Sequence, residues 1–196
     1  MDWPDFDRLY PRDNSVSQVR GKHVIDHPFC EMKVALDSDI LDEKLSKMIS
    51  IGDYGLGDLL LYEKYLEPKE IVLAIGDGVG ITAAYCAKIT GESLIVIEPK
   101  SMPHPLIEKN LTVNDVEAEI LSAFLLVEED AEELDFYCHS EFWLSKLIPD
   151  FLEEYTSIRV PQVSLDSLLT AHSPNVLVVD VEGAEVGLFE IKGCRT

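Results

Sequence analysis

Three glycines at alternate positions, Gly76, Gly78 and Gly80, form the stretch of this chain most able to do chemistry. Glycine permits positive φ and lets a ligand approach the backbone closely. Residues 71–75 before them are apolar and β-branched and read as a buried strand. Residues 81–88 after them read as a helix that ends near Gly91. In α/β sheets a strand, a glycine turn and a helix receive nucleotide-like ligands, using N–H groups left unpaired at the helix start. A dinucleotide fingerprint would need its third glycine at the position of Ile81. That disfavours an NAD-dependent oxidoreductase and favours a nucleoside ligand without a pyrophosphate, of which S-adenosylmethionine is the common one. A tight turn with no ligand would look the same over these residues alone.

The second half of such a site is Glu98, 22 residues after Gly76 and at the end of a second apolar run, residues 93–97. An acid there can accept hydrogen bonds from both ribose hydroxyls. Asp77 within the turn joins the candidate cofactor residues. Ser122 and Ala123 are candidates for the adenine edge, since small residues admit a flat ring. A fourth apolar run, residues 176–181, carries Asp180 and then Glu182, which fall on the ligand side of a parallel sheet.

Other elements must hold these residues in place. Residues 1–19 read as a loose arm bearing Trp3, Phe6 and Tyr10, and residues 22–36 as a hairpin broken at Asp26-His27-Pro28. The proline beside His27 argues against a metal pair with His23. Helices are expected over residues 39–49 and 59–66, the second capped by Asp58. A further helix is expected over residues 103–113, and one strand over 117–127. Residues 128–133 read as an acidic loop, 134–138 as a strand, and the aromatic stretch 139–155 as either a lid or a core helix. A short strand at 160–164 and a helix at 165–171 precede the fourth apolar run. The organisation expected is an arm and small hairpin and helix region over residues 1–50, packed on one α/β domain over residues 51–196.

With 196 residues, 46% of them apolar, one full core is the natural expectation. There is no apolar run of membrane-spanning length, and the start is not a secretory signal. The four cysteines are widely spaced and read as reduced thiols of a cytoplasmic protein, not as a disulfide frame or zinc site. The 37 acidic against 16 basic residues, a net charge of −21, repel phosphate backbones and anionic lipids, so neither nucleic acid nor membrane is an expected partner.

Four blocks resemble the FkbM family of S-adenosylmethionine-dependent methyltransferases. They are VLAIGDGVGITA at 72–83, IVIEPKSMPHPLIEKNLTVN at 95–114, VPQVSLDSLL at 160–169 and VLVVDVEGAEVGLFEI at 176–191, the last being the most specific. With LDFYCHSEFW, the likeness spans roughly residues 54–191. It implies a Rossmann-like class I methyltransferase fold, a mostly parallel, doubly wound sheet with helices on both faces. It also implies methyl transfer from S-adenosylmethionine, usually to a hydroxyl of a sugar, polyketide or other small molecule. By the same resemblance Gly76, Gly78 and Gly80 would line the methionine and ribose, Glu98 would hold the ribose, and Asp180 would sit near the transferred methyl. Such transfer is an in-line displacement helped mostly by positioning, and a hydroxyl acceptor can also need a base. Asp180 and Glu182 are the candidates by position, His139 and His172 by chemistry; no metal is expected.

Two departures separate the chain from that pattern. Ala74 stands where the family usually has an acid that positions the amino-acid end of the cofactor. About 15 residues follow Asp180, too few for the remaining strands. The fourth strand is therefore expected to leave an open edge, through which the chain would self-associate. Both departures favour the alternative of a catalytically inactive methyltransferase-like domain serving as a binding or assembly partner. The retained glycines, Glu98 and Asp180 favour an active enzyme.

Overall fold

The computed structural model describes residues 21–126, 133–139 and 155–181. The expected arm, the acidic stretch 128–132, the aromatic residues 140–154, and Glu182 with all that follows lie outside the described residues.

Four parallel strands make the central sheet: β3 (Val72–Ile75), β4 (Leu94–Ile97), β5 (Ala118–Leu121) and β9 (Val176–Val179). Their order is β5-β4-β3-β9, with Leu73 opposite Ile95 on one side and Leu177 on the other. The chain thus moves outward from β3 to β5 and returns to place β9 beside β3. That makes the β3–β9 boundary the switch point at which open α/β sheets bind ligands. Among the described residues β9 pairs only with β3.

Strand side chains alternate between faces, and both faces of this sheet are covered. Val72, Ala74, Leu94 and Val96 face α3 (Ile81–Thr90) and α4 (His104–Val113). Leu73, Ile75, Ile95 and Ile97 pack with Leu165 and Leu168 of α5 (Leu165–His172). Helix α3 is buried nearly all round, which explains why its sequence is apolar without a stripe. Gly91, in the left-handed conformation, ends it by donating to the Ala87 carbonyl.

The expected hairpin is present as β1 (Lys22–Asp26) and β2 (Lys33–Asp37), antiparallel. His27 serves its turn: the ring Nδ1 accepts from the N–H groups of Phe29 and Cys30. Two asparagines, one within α4 and one at its C-cap, clamp the hairpin to the sheet. Asn114 accepts from the Lys33 N–H and donates to the Lys33 carbonyl, as a strand neighbour would. Asn110, fully buried, accepts from the Ala35 N–H and donates to the carbonyl of Val79 inside the glycine turn. Hairpin and turn are thereby fixed to each other through one side chain.

Three expectations are corrected. Helix α1 (Glu43–Ser50) starts later than residue 39, because Asp42 caps it by accepting from the Leu45 N–H. Helix α2 (Leu56–Tyr65) starts earlier than residue 59, with left-handed Gly55 at its cap; Asp58 lies in its first turn, where the helix dipole favours an acid. The single strand expected over 117–127 is two. After β5 the Ala123 N–H bonds back to the Leu121 carbonyl, and the chain leaves as β6 (Phe124–Leu126) for a second sheet.

That second sheet has the order β6-β8-β7, with β7 (Glu133–His139) and β8 (Tyr155–Ser164), the latter longer than the expected 160–164. Pro161 lies inside β8 yet breaks no ladder: β7 pairs up to Pro161, and β6 begins at Gln162. Among the described residues no helix is long and apolar enough to cross a membrane.

The clamp is testable. Asn110→Ala leaves two buried backbone groups unpaired and is expected to cost about 2–4 kcal/mol in urea unfolding. A loss below about 0.5 kcal/mol would show that the amide does not hold hairpin and turn together.

Candidate functional site

The glycine turn sits directly over the switch point. The Asp180 N–H donates to the Ile75 carbonyl at 2.9 Å, and the Gly76 N–H donates to the Ile97 carbonyl at 2.9 Å. Gly76 has φ 77°, and a Cβ there would run into the carbonyl oxygen of Asp180. Only glycine lets β9 come this close, so Gly76 is required by the sheet itself. At Gly80, φ 84°, a Cβ would meet Ile107 Cα at 2.6 Å, so this glycine seats the start of α3 against α4. Gly78 is also at positive φ, and its N–H donates to Oε2 of Glu98 at 3.3 Å.

Glu98 follows β4 and is 4% exposed. Its other oxygen, Oε1, accepts from the Lys100 N–H at 3.1 Å. One lone pair of each oxygen is thus used by backbone, and a second remains on each. Burial pushes this carboxyl up from its ordinary value, while Lys100, the two N–H bonds and His104 pull it down. The His104 ring, at the start of α4, bonds the Glu98 carbonyl through Nε2 at 3.0 Å.

Asp77 is buried under the turn. Its Oδ1 accepts from the Ala83 N–H at 2.8 Å, and its Oδ2 has no hydrogen-bond partner. Burial, opposed by that N–H bond and reinforced by Glu98 and Asp180, raises its carboxyl to about 8. The carboxyl of Asp77 reaches Ala83, which lies on the sheet face that Ala74 also faces. An acid absent from position 74 is therefore present on the same face from position 77. Desolvation and the nearby acids hold the Tyr62 phenol well above its usual range, and Cys86 is pushed up to about 12.

The sheet brings Gly76, Asp77, Gly78, Gly80, Glu98 and Asp180 to one edge. Ser122, exposed, and Ala123, buried, follow β5 at the same edge; they form a turn inside the stretch expected as one strand over 117–127. Asp180 itself is exposed. Of the two histidines considered as bases, His172 is at the far end of α5, its Nδ1 3.9 Å from Glu119. The direction of α5 carries it away from the turn. His139 ends β7, its ring 5.1 Å from that of Tyr155. Sequence reasoning missed Lys100, whose backbone N–H holds Glu98 Oε1. Its place two residues beyond Glu98 carried a local signal. Among the described residues no group of three or more His, Cys, Asp or Glu is arranged to hold a metal, and Cys30, Cys86 and Cys138 are free thiols.

The methyltransferase FkbM domain profile matches residues 60–196. No curated protein matches the chain. Among solved structures, a Pyrococcus horikoshii protein described as a transferase, PH0793, is 18% identical, with a TM-score of 0.41 over 53% of this chain and 36% of its own. Trm5b from Pyrococcus abyssi is 12% identical, with a TM-score of 0.39 over 58% of this chain and 36% of its own. The chain thus spans about a third of the length of either.

The buried acid has a pH signature. Its carboxyl stands at about 8 in the fold against an ordinary 3.8. Between those values the folded chain keeps a proton that the unfolded chain loses. The stability from this group is full at low pH and is lost as pH rises through the window. Asp77→Asn keeps the acceptor for Ala83 but removes the titration. Relative to wild type, it is expected to gain up to ~1.4 kcal/mol per pH unit across the window. Urea unfolding at several pH values between 5 and 8 checks this, and a pH-independent difference would contradict it.

Proposed function

Since the chain belongs to the FkbM methyltransferase family, we propose that it transfers the methyl group of S-adenosylmethionine to a hydroxyl of a small molecule or sugar. The observation that carries the reading is Glu98, a buried carboxylate pinned by the Gly78 and Lys100 N–H groups with one acceptor site on each oxygen to spare. A ribose diol offers two donors at the matching separation. The glycine turn gives backbone access beside it, and Ser122 and Ala123 flank the same edge where the adenine would lie.

The residues suit this cofactor in hydrogen bonding as well. Its methionine end carries an ammonium beside a carboxylate and a sulfonium, and the unpartnered oxygen of Asp77 under the turn would accept a hydrogen bond from the ammonium. When bound, the cofactor supplies an electrophilic methyl group. The chain's own residues then hold the acceptor and take its proton. Asp180, exposed just after β9, would orient an acceptor hydroxyl and accept its proton on a carboxylate oxygen. Glu182 has the same role by sequence.

Ala74 favours a second reading, a methyltransferase-like domain that binds or assembles without catalysing. It is fully buried in β3 and offers the cofactor no carboxylate. The two readings part at cofactor binding. Glu98→Ala removes charge-assisted ribose bonds and is expected to raise the dissociation constant for S-adenosylmethionine by about tenfold or more. An unchanged constant in a folded variant would remove Glu98 from the site.

A further inference from the structure

The ends of α3 and α4 that point away from the ligand edge form, with the hairpin turn, a cleft of about 410 Å³. Helix α4 begins at His104, beside Glu98, and reaches the cleft at Val113. About 15 Å of helix therefore separates the cleft from the ligand edge, and methyl transfer leaves it without a task.

The floor of the cleft holds an open donor. His27 lines it and is 6% exposed. Its Nδ1 accepts from the Phe29 and Cys30 N–H groups, so the neutral ring carries its proton on Nε2. Among the described residues that N–H has no hydrogen-bond partner. A buried donor of this kind calls for an acceptor. Asn114 also lines the floor, but its amide is engaged with the Lys33 backbone and the Asn110 carbonyl. The floor is thus held in place from within the fold, with one N–H left for an occupant.

The walls hold five exposed charges. Asp26, Glu31 and Lys33 come from the hairpin, Lys88 from the last turn of α3, and Asp115 from just beyond α4. Among the described residues no ion pair joins any two of them. Both walls carry both signs, and the charges surround one space without meeting across it. A ligand of a single sign would be repelled from each wall by part of its lining. Acids outnumber lysines, and the C-terminal end of α4 adds partial negative charge. The fitting occupant carries a carboxylate for the His27 N–H and the lysines, an ammonium for the acids, and a second cationic group for the excess of acid.

We propose that this cleft binds a free basic amino acid. The proposal is independent of the methyl-transfer reading.

Calorimetric titration of the full chain with L-lysine tests it, with cadaverine, the same diamine without the carboxylate, as comparison. L-Lysine is expected to bind saturably with a dissociation constant of about 1 mM or tighter, and cadaverine about tenfold more weakly. Equal affinity for the two would show only the attraction of a diamine to an acidic chain and overturns the proposal. Absence of saturation with L-lysine also overturns it. Lys88→Met, at an exposed helix position, is expected to weaken L-lysine about fivefold or more without weakening cadaverine. No loss for L-lysine, or an equal loss for both, overturns the placement of the carboxylate. The floor is read without any substitution, by NMR of the wild-type chain with nitrogen-15 in its histidines. The His27 Nε2 resonance is expected to move on addition of L-lysine and to stay in place with cadaverine. A resonance that does not move with L-lysine puts the amino acid elsewhere and overturns the proposal.

Discussion

The close approach of Gly76 to the Asp180 carbonyl is the contact on which the rest of the molecule depends. It joins the first strand of the nucleotide-type unit to the last strand described, across the point where the strand order reverses. Any side chain at residue 76 would hold β9 away, and the ligand edge would lose Asp180 from beside the glycine turn. Gly80 makes the matching contact at the helix end, against α4. Two of the three glycines are thus claimed by packing. This distinguishes them from Gly78, whose N–H reaches the acid of the neighbouring strand.

Around that contact the chain concentrates acids and buries two of them. Asp77 and Glu98 are nearly inaccessible, Asp180 is open, and Lys100 is the buried cation between β4 and α4. A surface carboxylate would be solvated and indifferent to its neighbours. Under the turn, desolvation makes each group's ionisation depend on the others. Burial raises the carboxyls of Asp77 and Glu98 above their ordinary values.

Much of the frame was legible in the sequence, and for physical reasons. The runs that became β3, β4 and β9 are apolar on both faces because both faces are covered, and Gly91 ends α3 where a left-handed residue is needed. The hairpin, Glu98 at its strand end and the alternating glycines were readable from residue types. The break at Ser122–Ala123 was not, because it is made by a backbone bond that any residue type could form. The start of α2 was misplaced because Gly55 offers no capping side chain and Asp58 resembles one. The depth of Asp77 and Lys100 was hidden for a different reason: charged residues read as surface until three-dimensional packing buries them. Asn110 and Asn114 likewise gave no hint that their amides would stand in for a strand.

The central claim is that the glycine turn and Glu98 form a nucleoside site for S-adenosylmethionine. Calorimetric titration of the purified chain with S-adenosylmethionine, with NAD as control, tests it most directly. The account predicts saturable binding of the first, with a dissociation constant on the order of micromolar, or about 8 kcal/mol of binding free energy, and none of the second. Absence of binding by either would contradict it and leave the fold as a scaffold for partners.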